Sequence, residues 1–209
     1  KGELEKAAEQ LKLAEDYEDA ADKFADAART LGHAAMETGE YQTAIRWLEQ
    51  LPHEGETGKT LNQAVYAYAD QLEQEGQKEA AATEFYSLGG YQDAQARGNA
   101  LEYALAMEEK AADVESALER FELLGDYQDA KAQAEACRYA IAQKAFEQGQ
   151  IEDALEGFSA LGDFSDAKTQ AQRCRYALAQ AAYEQGDYEN AAALFEACGA
   201  YLDAEDGVL

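Results

Sequence analysis

One proline, one tryptophan, two histidines and three cysteines occur in 209 residues, and only 17 lysines and arginines face 43 aspartates and glutamates. Each scarcity excludes something. A formal charge of -26 removes the basic footprint that nucleic acid or an anionic membrane surface requires of a partner. The expected partner is therefore a protein or peptide, basic or neutral, and the acidity doubles as a solvated outer face that keeps the chain in solution. No apolar run approaches the ~20 residues that span a bilayer, and the opening residues carry no signal-peptide pattern. This segment is expected to make no direct membrane contact. Its compartment stays open between the cytoplasm and an extracytoplasmic domain of a membrane-anchored protein whose anchor lies outside the segment.

The few reactive side chains do not gather. Cys137 and Cys174 occupy one position of a repeat, a unit apart, so they should be separated by one helix spacing of ~8–10 Å, beyond the roughly 7 Å reach of a disulfide. Cys198 takes the packing slot held elsewhere by Leu124 and Leu161, and all three read as small buried hydrophobes. His33 and His53 have no cysteine or carboxylate at ligand spacing, so no metal site is expected. Gly58-Lys59-Thr60 invites a phosphate-loop reading. That pattern wants a glycine where His53 stands, however, and Glu54 and Glu56 would repel a phosphate. The many carboxylates include no pair marked out by its surroundings for acid–base work. No catalytic residue, no cofactor and no enzymatic activity are expected.

What the chain has is repetition. Leu124-Gly125-Asp126-Tyr127-Gln128-Asp129-Ala130 leads into a long apolar-periodic run through Cys137, Arg138 and Tyr139, then Gly149, Ala154, Phe158 and Leu161; 37 residues later Gly162, Asp163, Phe164, Asp166, Ala167, Cys174, Arg175, Tyr176, Gly186, Ala191 and Phe195 repeat it. Self-similarity at this period marks stacked units that cannot bury their apolar faces alone. Spacing of apolar residues at i, i+3, i+4 and i+7, as in Ala44, Trp47, Leu48 and Leu51, makes the units helical, with no alternating strand pattern anywhere. Each unit reads as a first helix of about twenty residues and a second of about ten. The predicted fold is all-α, an α-solenoid of about five helical hairpins in one array over 1–209. Its units are a partial 1–15, then 16–51, 52–88, 89–124, 125–161, 162–198 and a partial 199–209.

Within the array several details are expected. Leu4 to Leu13 looks like the second helix of a missing unit, which suggests a segment cut from a longer protein. Unit 52–88 replaces the connector by Pro52-His53-Glu54-Gly55-Glu56-Thr57-Gly58, after which a helix resumes at Thr60 or Leu61. Gly98 interrupts the third first helix, where a kink or short break is plausible. In the connector, Gly125 suits the left-handed residue that ends a helix, Asp126 the N-cap of the next, and Asp129 the acidic place of a capping box. Tyr127 and its equivalents Tyr17, Tyr91, Phe164 and Tyr201 can staple a unit to the one before. A last copy, Gly199, Ala200, Tyr201, Asp203 and Ala204, opens a sixth unit ending at Leu209.

From Arg138 to Leu161 the spacing resembles a tetratricopeptide repeat, through the small Ala142, the turn glycine Gly149, Ile151 (Tyr41 and Tyr188 in sister units), Ala154, Phe158 and Leu161. The motif is degenerate, because Arg138 and Arg175 stand at the tryptophan-type position and Ala145 or Ala182 at the usual tyrosine. The connector resembles that of a variant of about 36 to 37 residues found in uncharacterised bacterial repeat proteins. The resemblance implies a right-handed superhelix that binds peptide segments along a concave face lined by first helices.

The residues matching that face are Tyr66, Tyr103, Tyr139 and Tyr176, with Asp70, Gln143 and Gln180 four residues on and Phe146 and Tyr183 seven on, one helical face. Aromatic bodies with a polar tip suit peptide contact; the same rings could instead fill space between neighbouring first helices with their hydroxyls bonded locally. Arg138 and Arg175 read as partners of a neighbouring unit's carboxylates, or as a clamp for a carboxylate of another protein. The expected function is a non-enzymatic scaffold holding a peptide or helix. The alternative is a structural spacer whose exposed ends self-associate end to end.

Overall fold

The computed structural model describes residues 2–14, 17 and 19–199, and all its regular elements are helices. They are α1 (Gly2–Leu13), α2 (Ala20–Glu37), α3 (Tyr41–Leu48), α4 (Gly55–Gln74), α5 (Lys78–Ser87), α6 (Ala94–Glu109), α7 (Val114–Leu124), α8 (Ala130–Glu147), α9 (Ile151–Leu161), α10 (Ala167–Glu184) and α11 (Tyr188–Cys198). The all-α expectation holds, with long first helices of 16 to 20 residues alternating with second helices of 8 to 11 from α2 onward. None of the described helices is long and apolar enough to cross a membrane.

Contacts group the chain into two compact units, Lys1–Glu102 and Tyr103–Leu209, the division falling inside α6. In the first, α1 packs on α2, α2 on α3, α3 on α4 and α4 on α5; in the second the same succession runs from α7 to α11. Apolar residues accordingly form a series of small clusters, as a solenoid requires, in place of one central core. Ala69, Leu72, Ala81, Phe85 and Leu101 make one in the first unit. Ala142, Ala154, Phe158, Ala171 and Cys174 make one in the second. Alanine fills most helix–helix contacts, combining the best helix propensity with the smallest side chain, while Phe85, Phe121 and Phe158 supply the bulk and are fully buried. All three cysteines are buried free thiols whose pKa burial pushes up.

Hairpin turns follow the expectation: at Gly149 (φ 80°) the Gln150 N–H donates back to the Ala145 carbonyl, closing the helix in a Schellman-type turn. The connectors do not. Gly125 has φ 54° and ψ -113°, the mirror-image extended region in place of the left-handed helical one, and begins a turn closed by the Tyr127 N–H on the Leu124 carbonyl. A second turn follows at once, Ala130 N–H to Tyr127 carbonyl, with Gln128 at φ 48°. Two reversals between Leu124 and Ala130 delay the helix, so Asp129, and not Asp126, is the N-cap of α8. Asp126 lies outside the helix and pairs with Lys131 at 2.5 Å.

Other local expectations are corrected too. Gly98 does not break α6; a Cβ there would stand 2.8 Å from the Tyr86 ring, so the missing side chain lets that ring seat on the helix. The helix after Pro52 starts at Gly55, not at Thr60, and a Cβ at Gly58 would collide with the His53 carbonyl oxygen, which explains the glycine in its first turn. Tyr17, expected as a staple, is 78% exposed and makes no ring contact with any described residue. Asp16, Ala200, Tyr201, Asp203, Ala204 and Leu209 lie outside the described residues.

Candidate functional site

The expected face is built on one recurrent joint. From the middle of four of the five first helices a tyrosine projects toward the next unit: Tyr66 in α4, Tyr103 in α6, Tyr139 in α8 and Tyr176 in α10. Each ring stands edge-on to the phenylalanine of its own second helix, Phe85, Phe121, Phe158 or Phe195, with centroids 5.3 to 5.8 Å apart. Three of them also meet the connector aromatic that follows, Tyr91, Tyr127 or Phe164, at 6.0 to 6.1 Å. Hydroxyls of Tyr66 and Tyr103 donate to Asp93 and Asp129 at 2.6 Å, and that of Tyr139 to Asp166. Asp129 and Asp166 are helix N-caps whose side chains make no cap bond; they turn to the tyrosine instead. The hydrogen bond from Tyr139, with others from Gln170 and the backbone, lowers the Asp166 pKa, and the same bond with burial pushes Tyr139 up to about 12. Tyr66 and Tyr103 are raised for the same first reason. The partner of Tyr176 by this spacing, Asp203, lies outside the described residues, and its hydroxyl accepts from Gln180 at 3.2 Å.

Beside each joint is a slot between successive first helices, and its filling differs. Between α4 and α6, Arg97 plugs it. The guanidinium lies 4.4 Å over Phe85 and 5.5 Å over Tyr66, donates to the Tyr66 hydroxyl at 3.1 Å and to Asp70 at 2.6 Å, and pairs with Glu73. Burial opposes its charge, but those three partners outweigh it and its pKa rises. Asp70 is therefore spent internally. Between α6 and α8 the Arg97 position is Gln133, which accepts from Lys110 at 2.6 Å. Both are self-contained.

Between α8 and α10 the slot is open. Gln170 stands where Arg97 would be, Gln143 replaces Asp70, and Phe146 replaces Glu73. A cleft of about 360 Å³ remains, lined by Tyr139, Gln143, Phe146, Phe158, Gln170 and Arg173, with Glu147 at its edge. The Arg173 guanidinium lies 4.7 Å over the Phe146 ring and has no ion pair with any described residue. The Gln143 amide donates to Glu147 at 3.2 Å. Further along α10, Tyr183 is exposed and meets Tyr188 edge-on at 5.4 Å.

Of the nine expected residues, Tyr139, Gln143 and Phe146 therefore come together in one cleft; Tyr66 and Asp70 belong to the plugged slot, Tyr103 to the middle joint, and Tyr176, Gln180 and Tyr183 to α10. Arg97, Phe158, Gln170 and Arg173 were not expected there. A signal for them existed: Arg97, Gln133 and Gln170 fall at one repeat position, four residues after the connector aspartate. Arg138 pairs with Glu122 of the preceding α7 at 2.7 Å, its intramolecular reading.

No family model matches the chain, and no curated protein is similar to it. Among solved structures it is similar to the crystal structure of a substituted form of a Podosopora anserina putative kinesin light chain with nearly identical TPR-like repeats. Identity is 17%, the match covers 88% of this chain and 96% of that one, and the TM-score is 0.21.

Proposed function

We propose that this chain is a non-enzymatic interaction scaffold that holds a peptide or helical segment of another protein against its first-helix face, with the cleft between α8 and α10 as the anchoring pocket. The observation that carries this reading is the contrast between slots: the one that Arg97 fills from within at α4 and α6 stands open at α8 and α10. An aromatic-walled recess with a few amide groups takes one side chain of a partner and orients the rest. Tyr176, Gln180 and Tyr183 extend the same face along α10, and Tyr66, Asp70 and Tyr103 are the matching residues of α4 and α6. The charge of -26 favours a basic partner and speeds its encounter at low salt.

The test transplants the plug. Peptides selected from a displayed random library are titrated against the chain and against a variant carrying Gln143→Asp, Phe146→Glu and Gln170→Arg. Loss of at least tenfold in affinity, with helicity and melting temperature kept, is expected. Affinity for basic peptides should also fall as salt rises past a Debye length of roughly 10 Å. A variant that binds as the parent does overturns the pocket assignment. Sedimentation of the peptide-free chain across concentrations is expected to show a monomer; concentration-driven association with no peptide binding would favour the spacer reading.

A further inference from the structure

A second kind of groove, between a second helix and the next first helix, occurs at α7 and α8 and again at α9 and α10, and it too changes between units. Between α7 and α8 it is floored by Phe121, Gly125 and Ala134 and carries Glu122, Lys131, Glu135 and Arg138, two carboxylates against two cations. Glu122 binds Arg138 at 2.7 Å and Lys131 binds Asp126. Between α9 and α10 the equivalent positions are Phe158, Gly162 and Ala171 with Ser159, Lys168, Gln172 and Arg175. Both carboxylates are gone and both cations stay. Lys168 keeps its neighbour Asp163, but Arg175 has no ion pair with any described residue.

We infer that the groove between α9 and α10 is a docking site for an aspartate or glutamate side chain of a protein partner, held by Arg175 where α7 supplies Glu122 to Arg138. The chain itself displays the ligand in the neighbouring groove. A planar guanidinium takes a carboxylate through two parallel hydrogen bonds, and Arg175 is half-buried, which makes such a pair stronger than one on an open surface. The Ser159 hydroxyl stands at the Glu122 position and offers a further donor. A volume of about 240 Å³ has room for one carboxylate side chain of a partner. Phe158 lines both this groove and the cleft between α8 and α10, but Ser159, Lys168, Gln172 and Arg175 belong to this groove alone.

Its salt dependence has the opposite sign to that of a basic partner. The contact pair is shorter than the Debye length and little screened, whereas repulsion from the chain's many distant acids is screened as salt rises. Binding of a carboxylate guest should hold or strengthen between low and physiological salt.

The experiment follows arginine Nε–Hε resonances by NMR while N-acetyl-glutamate N-methylamide is added at constant ionic strength, with the glutamine analogue as control. A saturable shift of Arg175, absent for the already paired Arg138 and for the glutamine compound, is expected. Ser159→Glu rebuilds the carboxylate of the neighbouring groove from within and should abolish the shift; Arg175→Gln should remove the response of the surrounding Ser159 and Gln172 amides. Equal response to glutamate and glutamine, equal response of Arg138 and Arg175, or unchanged binding by Ser159→Glu overturns the assignment. The triple variant of the α8–α10 cleft should still show the Arg175 shift, which separates failure of one site from failure of the other.

Discussion

At the scale of single residues, the joint between units rests on a phenol donating to a carboxylate that would otherwise cap a helix. Tyr139→Phe keeps the ring against Phe158 and Phe164 and removes only the donor. At neutral pH it should cost about 0.5–1.5 kcal/mol, toward the lower end because the Asp166 carboxylate remains in water. Folding lowers the Asp166 pKa, so its contribution is present above the unfolded value near 3.9 and is lost as pH falls through the folded one. Melting curves of parent and variant should therefore converge below about pH 3 and diverge by pH 7. On the alkaline side Tyr139, pushed up to about 12, stabilises below its unfolded pKa near 10 and ceases to as pH rises toward 12. A melting difference independent of pH between 2.5 and 7 would contradict the joint. The connector offers a second comparison. Gln128 holds φ 48° and Gly125 φ 54°, a half of the map that costs a side-chain-bearing residue about 1–2 kcal/mol. Gln128→Gly should stabilise by up to about 1 kcal/mol after the looser unfolded chain is counted, and Gly125→Ala should destabilise by about 1–3 kcal/mol, both read from urea midpoints. The tyrosines, the glycine and the second aspartate of Gly-Asp-Tyr-x-Asp-Ala were legible because they repeat. Positive φ at the x position was not, because Gln92, Gln128 and Ser165 lack the glycine that signals it.

Among the elements, periodicity predicted a long first helix and a short second helix in each unit, and the lengths of 16 to 20 and 8 to 11 residues agree. It misplaced the start of α4 because Gly55 and Gly58 read as breakers. Gly58 is in fact required by the nearby His53 carbonyl, a tertiary contact that no local pattern carries. Gly98 teaches the same. Local propensity puts a break there, yet α6 runs through it, as α5 lays Tyr86 on that spot and its hydroxyl donates to Asn99 at 3.1 Å. Gly98→Ala should gain roughly 1 kcal/mol of helix propensity and lose more to the collision at 2.8 Å, so its melting temperature should fall. In a Tyr86→Ala background Gly98→Ala should become nearly harmless or favourable, a coupling that a double-mutant cycle reads directly. Additive effects would place the Tyr86 ring elsewhere. The open cleft was only half legible for a related reason: the sequence placed Tyr139, Gln143 and Phe146 on one face of α8, but whether a slot is plugged depends on a residue of the next first helix, Arg97 or Gln170, and so on the stacking of two units.

For the whole molecule the governing quantity is charge. Acids outnumber bases by 43 to 17, and the ion pairs that use the bases are largely exposed, as in Lys131–Asp126 and Lys168–Asp163 with side chains 70 to 90% accessible. Such pairs contribute about 0–1 kcal/mol each, so salt can take little away by screening them. The excess acids repel one another, and folding brings them closer than they are in the extended chain. Screening that repulsion should stabilise the fold. Raising sodium chloride from 10 to 150 mM shortens the Debye length from about 30 to about 8 Å, which covers repulsion between neighbouring helices while leaving contact pairs such as Arg97–Asp70 nearly intact. Recovery of roughly 1 kcal/mol would lift the melting temperature by about 2–4 °C for a chain of this size. Chloride keeps the test electrostatic, since sulfate would also strengthen apolar burial. Replacing Arg97 by glutamine should lower the melting temperature at both salt concentrations, because Asp70 and Glu73 then face each other without their cation, and the loss should be larger at 10 mM. A melting temperature that falls with added salt would mean that attraction between the few bases and their acids, and not repulsion among the excess acids, controls this array.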